Sequence, residues 1–192
     1  MKPGGLELFP QACGLCVVDV QQKLAESMPE KVLKGTLRNW LNLIETARVL
    51  GLPAVVSEQF PKGLGRTLPV VAEAVLRLPR EQVLLFDKLS FSCGGNAAFQ
   101  QWVAATGRSQ WIVIGMETHV AVYQTARALV AGGHSVQVPR DAVISRTMAN
   151  WESGLHLIEQ SGAVSTSTET AVFDLLKQAG TEEFQQLARV VK

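Results

Sequence analysis

Short apolar runs alternate with stretches of helical apolar spacing along the whole of this 192-residue chain. Most of the runs are continuously apolar, as expected of strands whose two faces are both covered. Such alternation favours a parallel sheet with right-handed crossovers and helices on both of its faces. The sequence therefore predicts a three-layer, Rossmann-like α/β fold with roughly six parallel strands, formed by residues 15–20, 54–58, 83–86, 111–115, 135–139 and 163–166.

Helical spacing is found between these runs and again after the last of them. The predicted helices cover residues 31–50, 69–77, 96–105, 119–130 and 148–160, and residues 168–192 are expected to add one or two helices outside the sheet. Glycines follow four of the predicted helices, where a left-handed cap is favoured: Gly51, Gly107, Gly132 and Gly162.

The composition indicates one globular domain over residues 1–192, because 47% of the residues are hydrophobic and 18% are charged. A net charge of +1 without a Lys/Arg cluster gives no support for a nucleic-acid partner. No apolar run approaches the roughly 18 residues of a membrane span, and the start lacks the apolar core of a signal peptide. Three cysteines cannot all pair within one chain, which favours a reducing compartment, so a cytoplasmic protein is expected.

Four residues end or follow the first four predicted strands: Asp19, Gln59, Lys88 and Ala121. Ligands of open α/β sheets bind beyond the carboxyl ends of the strands, so a site for a small-molecule substrate is expected there. A carboxylate at Asp19 would be desolvated, which raises its pKa unless a cation compensates. From position alone, Asp19 could equally well be a cap or one half of an ion pair, and a lysine that follows a strand, such as Lys88, is usually solvated.

The segment GMETHVAV, residues 115–122, is predicted to join the fourth strand to a helix that opens near Thr118. Such a turn directs N–H groups and the positive end of the helix at its occupant, which suits a thiolate or an oxyanion. The segment resembles the GxETHVCV turn of the isochorismatase-like cysteine hydrolases. The resemblance puts that family's nucleophile at position 121, where this chain has alanine. Ala121 can pack, but it cannot attack a substrate.

Two further segments resemble the same family. VVDVQ at residues 17–21 is similar to its V-x-D-x-Q motif, and DKLSFS at residues 87–92 is similar to its lysine segment. The resemblance implies that Asp19 exchanges protons with the nucleophile or substrate. It also implies that Lys88 is the catalytic lysine, which would keep Asp19 ionised or steer its proton and bind an anionic substrate.

The resemblance has two implications for the backbone of the turn. One is a cis peptide bond between Met116 and Glu117. The other is an oxyanion hole formed by the N–H groups of Glu117 and Ala121, which would survive the loss of the thiol because it needs no side chain. The match continues through residues 141–146 and 162–169, and so covers nearly the whole chain.

Gln59 and His119 are candidates for substrate binding. SEQFPKGLG at residues 57–65 resembles TEQYPKGLG of one isochorismatase-like subgroup, although hydrogen bonds within the loop would equally explain Gln59. His119 lies in the turn, where capping or packing at the helix start is the alternative. Metal-dependent nicotinamidases of the wider superfamily place an Asp-x-His cluster near residues 57–65, but this chain has no histidine there. No metal or other cofactor is therefore expected.

Cys93 is an alternative nucleophile, five residues after Lys88, if a helix N-terminus lowers its pKa. The oxyanion donors would then belong to a different turn.

Three functions stay open. The first is a hydrolase that works without the thiol, with Asp19 as general acid and Gln59 orienting the substrate. The second is a non-catalytic family member that keeps the pocket and the oligomer surfaces. The third is an amidase whose cysteine has been replaced by alanine. In each case thiol-dependent amide hydrolysis is expected to be lost or weak.

The family resemblance also implies a homo-oligomer. Residues 181–192 have apolar side chains at the spacing of an amphipathic helix: Phe184, Leu187, Ala188 and Val191. This helix either takes part in self-association or packs on its own domain.

Overall fold

The computed structural model describes residues 6–189, whose seven strands form a single parallel sheet. The strands are β1 (Cys13–Val18), β2 (Ala54–Gln59), β3 (Val83–Lys88), β4 (Gln110–Met116), β5 (Ser135–Pro139), β6 (Val143–Ile144) and β7 (Val164–Thr166). Their order in the sheet is β3-β2-β1-β4-β5-β7, and β6 pairs with β4. The predicted α/β class and the parallel sheet are confirmed.

Helices cover both faces of the sheet. They are α1 (Gln22–Glu26), α2 (Glu30–Leu50), α3 (Pro61–Leu64), α4 (Pro69–Val75), α5 (Ala97–Thr106), α6 (Tyr123–Ala131), α7 (Met148–Gln160), α8 (Thr168–Leu176) and α9 (Glu182–Leu187). One core contains buried side chains of α2, α4, α8 and α9, and the other contains those of α5, α6 and α7. In the described part of the chain, no helix has the length and apolar character needed to cross a bilayer.

The side chains of β1 show how the sheet separates the two cores. Cys13, Leu15 and Val17 belong to the core of α2 and α8, whereas Cys16 and Val18 belong to the core of α5 to α7. All five residues are buried. Because successive residues of a strand point to opposite faces, a strand between two cores has to be apolar at every position.

Strand β6 was not predicted, so the expected number of strands was one too few. The first half of β4 pairs with β5, and its end pairs with β6, where Gly115 is opposite Val143 and Met116 is opposite Ile144. The chain leaves the sheet after Pro139 and returns beside β4 four residues later. A strand of two residues is too short to be distinguished from a turn by its apolar pattern.

Three of the four predicted glycine caps have a positive φ. Gly51 and Gly107 are left-handed C-caps with φ of 65° and 63°, and Gly162 has a φ of 93° after α7. The prediction for Gly132 was wrong, because its φ is −75° and the next residue, Gly133, has a φ of 86°. Either of two adjacent glycines can take the left-handed conformation without a Cβ clash.

Helix α9 packs on its own domain. Its N-cap is Thr181, whose Oγ1 accepts a hydrogen bond of 3.1 Å from the N–H of Phe184. Leu187 is fully buried, and the ring of Phe184 lies 6.3 Å from that of Phe173 in α8. For Leu187 and Phe184, the structure therefore shows packing on the same domain, which was one of the two predicted alternatives. Val191, which was part of the same prediction, lies outside the described residues.

Candidate active site

Asp19 and Lys88 form a buried ion pair across three neighbouring strands. Asp19 follows β1, Lys88 ends β3, and β2 lies between these two strands. Lys88 Nζ lies 2.6 Å from Asp19 Oδ2, and the two side chains are 1% and 0% exposed. Parallel strands end at the same edge of a sheet, and this brings together two residues that are distant in the sequence.

The ammonium group of Lys88 also binds the loop that follows β3. It donates hydrogen bonds to the carbonyl oxygens of Ser90, at 3.1 Å, and Phe91, at 2.8 Å. A lysine ammonium has three N–H donors, so each donor here has one acceptor. The positive charge is thereby fixed opposite Asp19.

Asp19 is held by Ser57 as well as by Lys88. Ser57 Oγ donates a hydrogen bond of 2.6 Å to Asp19 Oδ1, and the N–H of Asp19 lies 3.1 Å from the carbonyl oxygen of Ser57. Burial raises the pKa of Asp19 above its ordinary value, and the Lys88 charge and the Ser57 hydroxyl offset part of that increase. A carboxyl group with a raised pKa is suited to act as a general acid.

Ser57 was not predicted as a site residue. It lies in β2, opposite Val18 of β1, and it is fully buried. The available signal was a hydroxyl within the strand AVVSEQ, because a buried hydroxyl needs a hydrogen-bond partner. That partner is the Asp19 carboxylate, which the resemblance had already identified as important.

Gln21, from the same motif as Asp19, ties the loop after β2 to the end of β1. Its Nε2 donates to the carbonyl oxygens of Gln59, at 2.9 Å, and Gly65, at 2.6 Å, and its Oε1 accepts from the N–H of Gln59 at 2.7 Å. Gln59 is therefore fixed through its main chain, opposite Lys88 in the register of β2 and β3. A substrate contact by its side chain stays a prediction.

Ala121 lies in a single π-helical turn, Thr118–Val122, which joins the end of β4 to α6. The Met116–Glu117 peptide bond before it is cis. Ala121 is 2% exposed and belongs to the same core cluster as Val18 and Cys93. The predicted helix over residues 119–130 thus consists of a π turn followed by α6.

Two glycines allow the turn to lie close to its neighbours. A Cβ on Gly154 of α7 would come within 2.6 Å of the backbone nitrogen of His119. A Cβ on Gly115 would overlap the carbonyl oxygen of Val18, and Gly115 has a φ of 125° that side chains disfavour. Since both contacts are with backbone atoms, no side-chain movement could relieve them.

Glu117 and His119 bind the loop that follows β6. Glu117 Oε2 accepts hydrogen bonds from the N–H and the Nε of Arg146, at 3.0 and 3.1 Å. His119 Nδ1 lies 3.1 Å from Ser145 Oγ. The His119 ring is therefore anchored to Ser145, and its contact with a substrate stays a prediction.

Cys93 lies beside the ion pair. Its N–H donates a hydrogen bond of 3.1 Å to Thr125 Oγ1 on α6. The hydrogen bond from the Cys16 thiol lowers the pKa of Cys93, and the nearby Lys88 charge and Ser57 hydroxyl lower it further. The same thiol–thiol hydrogen bond, together with burial, raises the pKa of Cys16. Both are free cysteines and both are fully buried.

The chemistry that these groups can supply is proton transfer at Asp19 and electrostatic stabilisation by Lys88. Within residues 6–189, no three His, Cys, Asp or Glu side chains are grouped so that they could hold a metal ion. The nearby carboxylate of Glu58 is bound by the N–H of Thr67, at 2.7 Å, and by Arg66 Nη1, at 2.6 Å.

Comparison with known proteins identifies the family. An isochorismatase domain model matches residues 13–170. The chain belongs to the isochorismatase family. The secreted isochorismatase effector Isc1 of Phytophthora sojae is 34% identical over 189 residues, which cover 96% of this chain and 87% of the relative.

Solved structures have the same fold. The MAR1 ribonuclease of Caenorhabditis elegans is 30% identical, with a TM-score of 0.88, over 96% of this chain and 92% of its own. The YcaC gene product of Escherichia coli, an octameric hydrolase of unknown specificity, is 21% identical, with a TM-score of 0.85, over 99% of this chain and 92% of its own. The family and the three-layer fold that the sequence motifs predicted are confirmed.

Proposed function

We propose that this chain is a small-molecule hydrolase that works by proton transfer from Asp19 and not by thiol attack. The observation that carries the proposal is the Asp19–Lys88 pair, with Nζ 2.6 Å from Oδ2 and both side chains buried. Ala121 provides no nucleophile, so the covalent route of a cysteine amidase is excluded at that position. The proposed reaction uses water and needs no cofactor.

A vinyl ether of the isochorismate type is the substrate class that suits this chemistry. The protonated Asp19 carboxyl gives its proton to the terminal vinyl carbon, which forms a C–H bond and leaves an oxocarbenium ion. Water adds to that ion and loses a proton, and the resulting hemiketal separates into a ketone and an alcohol. Lys88 stabilises the carboxylate that Asp19 becomes after the transfer.

The roles proposed for the other residues follow their positions. Gln59 and His119 would contact the substrate, since Gln59 ends β2 beside Lys88 and His119 lies two residues before Ala121. The N–H groups of Glu117 and Ala121 would stabilise negative charge on a substrate oxygen. Neither the substrate contacts of Gln59 and His119 nor the hydrogen bonds from these N–H groups require a thiol.

The names of two relatives point to different substrates, and only one of them agrees with the proposal. The name of the Phytophthora sojae relative includes isochorismatase, which agrees with a vinyl ether substrate. The Caenorhabditis elegans relative is named a ribonuclease, but a net charge of +1 gives this chain little attraction for RNA. Three free, buried cysteines suit a reducing compartment, so we propose a cytoplasmic location.

A non-catalytic role is the second candidate, because Asp19 is fully buried in the structure. An Asp19→Asn variant separates the two functions, since it keeps the shape of the side chain but has no acidic proton. Isochorismate hydrolysis should fall by about 10²–10⁴-fold, which is the contribution expected from general acid catalysis. Asp87→Asn, which changes an exposed carboxylate one residue before Lys88, should retain the rate. An inactive parent chain would favour the non-catalytic role.

We also propose that the chain self-associates. Large apolar side chains are exposed on β3, an edge strand, and on the loop after it: Leu85 is 60%, Leu89 is 79% and Phe91 is 51% exposed. The octameric state given for the YcaC gene product agrees with this. Light scattering at micromolar concentration should give a mass well above 20.8 kDa. Leu89→Ser should lower that mass, whereas a monomeric parent chain would contradict the proposal.

A further inference from the structure

A pocket of about 420 Å³ lies beside the π turn Thr118–Val122, away from Asp19 and Lys88, neither of which lines it. Its walls come from the first half of α2, from β6 and the loops on either side of it, and from the start of α7. Most of the lining is apolar and includes Val32, Val143, Ile144, Met148 and Trp151. This volume and character are typical of small-molecule sites.

Gly35 leaves space in this pocket that the fold itself does not require. It lies within α2, where glycine destabilises a helix by about 0.5–1 kcal/mol relative to alanine. A Cβ built on Gly35 would have no heavy atom within 4 Å, so neither packing nor backbone conformation demands a glycine. A larger side chain at this position would therefore extend from the pocket wall into open space.

Two cations line the same pocket. The guanidinium of Arg140 lies 5.1 Å from the ring centre of Trp151, and Lys31 lies on the α2 side. In residues 6–189, neither cation forms an ion pair with a carboxylate. Asp141 is also in the lining, but its Oδ1 accepts hydrogen bonds from the N–H and Oγ1 of Thr168, at 2.8 and 3.0 Å. The pocket therefore combines an apolar surface with unpaired positive charge.

We propose that this pocket binds a small carboxylate with an aromatic or branched hydrocarbon body. The hydrocarbon packs on Trp151 and Met148, and the carboxylate binds Arg140. Met148 is 72% exposed in the structure, so a ligand that covers it removes apolar surface from water.

The pocket adjoins the π turn through Ser145. Ser145 lines the pocket, and its Oγ lies 3.1 Å from Nδ1 of His119. A ligand in the pocket therefore contacts a residue that anchors the turn, but it does not contact the Asp19–Lys88 pair. The proposal is independent of the proposed hydrolysis and would stand if that reaction were absent.

Calorimetric titration with hydrocinnamate, and with the uncharged hydrocinnamyl alcohol, tests this site. Hydrocinnamate should bind about tenfold more tightly than the alcohol, a difference of about 1.4 kcal/mol. Arg140→Gln should remove that preference, while Arg38→Gln, which changes a cation of α2 outside the lining, should keep it. Gly35→Phe should abolish binding of both compounds by filling the pocket, and Gly35→Ala should preserve it.

Other results would overturn the proposal. Equal binding of acid and alcohol would remove the anion preference, and unchanged binding by Gly35→Phe and Arg140→Gln would place the ligand elsewhere. If no compound binds and Gly35→Phe breaks an oligomer of the parent chain in light scattering, a second copy covers this face. Hydrolytic activity is not used as a readout, so failure here is distinct from failure of the proposed function.

Discussion

An Ala121→Cys variant will carry the most reactive thiol of this protein, alkylated by iodoacetamide near neutral pH faster than any native cysteine. The new thiol will lie where the π turn leads into α6, and the positive end of a helix favours a thiolate. Lys88 favours it as well, since its charge already lowers the pKa of Cys93 in the same cluster. Cys13 and Cys16 are poorer nucleophiles, because burial raises the pKa of Cys13 to about 12 and the pKa of Cys16 is raised as well. Cys93, whose pKa is lowered, is the native thiol against which the new one is compared.

Peptide mass spectrometry after timed alkylation measures the reactivity of each cysteine separately.

The variant should also gain amide hydrolysis that the parent chain lacks, because general acid catalysis of about 10²–10⁴-fold does not replace an acyl-enzyme route. Ala121→Ser is the matched control, with a hydroxyl at the same position. A new thiol no more reactive than Cys13 or Cys16 would show that the turn is not a nucleophile site. Amidase activity in the parent chain that disappears in Cys93→Ser would make Cys93 the nucleophile.

Lys88→Met will destabilise the folded protein by about 3–5 kcal/mol at neutral pH, the usual effect of removing one partner of a buried ion pair. The substitution keeps the apolar length of the side chain but leaves the Asp19 carboxylate buried without its cation. It also removes the hydrogen bonds to the carbonyl oxygens of Ser90 and Phe91. Urea unfolding measures the change in stability. Lys34→Met, which removes an exposed surface pair with Glu30, should have little effect.

The loss of stability in Lys88→Met should become smaller as the pH falls. Burial raises the pKa of Asp19 above 3.8, and Lys88 is the largest influence that lowers it, so its removal raises that pKa further. A group whose pKa is higher in the folded state binds its proton more tightly there. Stability is therefore regained as the pH falls through the folded-state pKa. A deficit that is constant between pH 7.5 and pH 5, on the scale of about 3–5 kcal/mol, would mean that Asp19 does not take up the proton.

The parts of the fold that repeat a long pattern could be predicted from the sequence. The run around Leu15 is apolar at every position because β1 lies between two cores, and such a run is recognisable without coordinates. The meeting of Asp19 and Lys88 followed from one rule, that parallel strands end at the same edge. Strand β6, at Val143–Ile144, had no comparable signal because two residues carry no period.

The contacts that complete the site depend on the register between strands, which the sequence does not specify. Ser57 reaches Asp19 because Ser57 is opposite Val18, and a shift by one residue would turn its hydroxyl to the other face. Cys93 joins the cluster through the loop after β3, which is held by Lys88. Its proximity to Cys16 could not be derived from their spacing in the chain. The pocket beside Gly35 could not be predicted from the sequence either, because its walls come from three separate elements.

Deuterium incorporation during isochorismate hydrolysis is the most direct test of proton transfer from Asp19 to carbon. In D₂O, at short reaction times, the parent chain should form pyruvate whose methyl group carries one deuterium. This outcome follows because Asp19 exchanges its proton with solvent before it protonates the vinyl carbon. Asp19→Asn should form pyruvate about 10²–10⁴-fold more slowly than the parent chain. Pyruvate released without deuterium, or formed equally fast by Asp19→Asn, would contradict the proposed function.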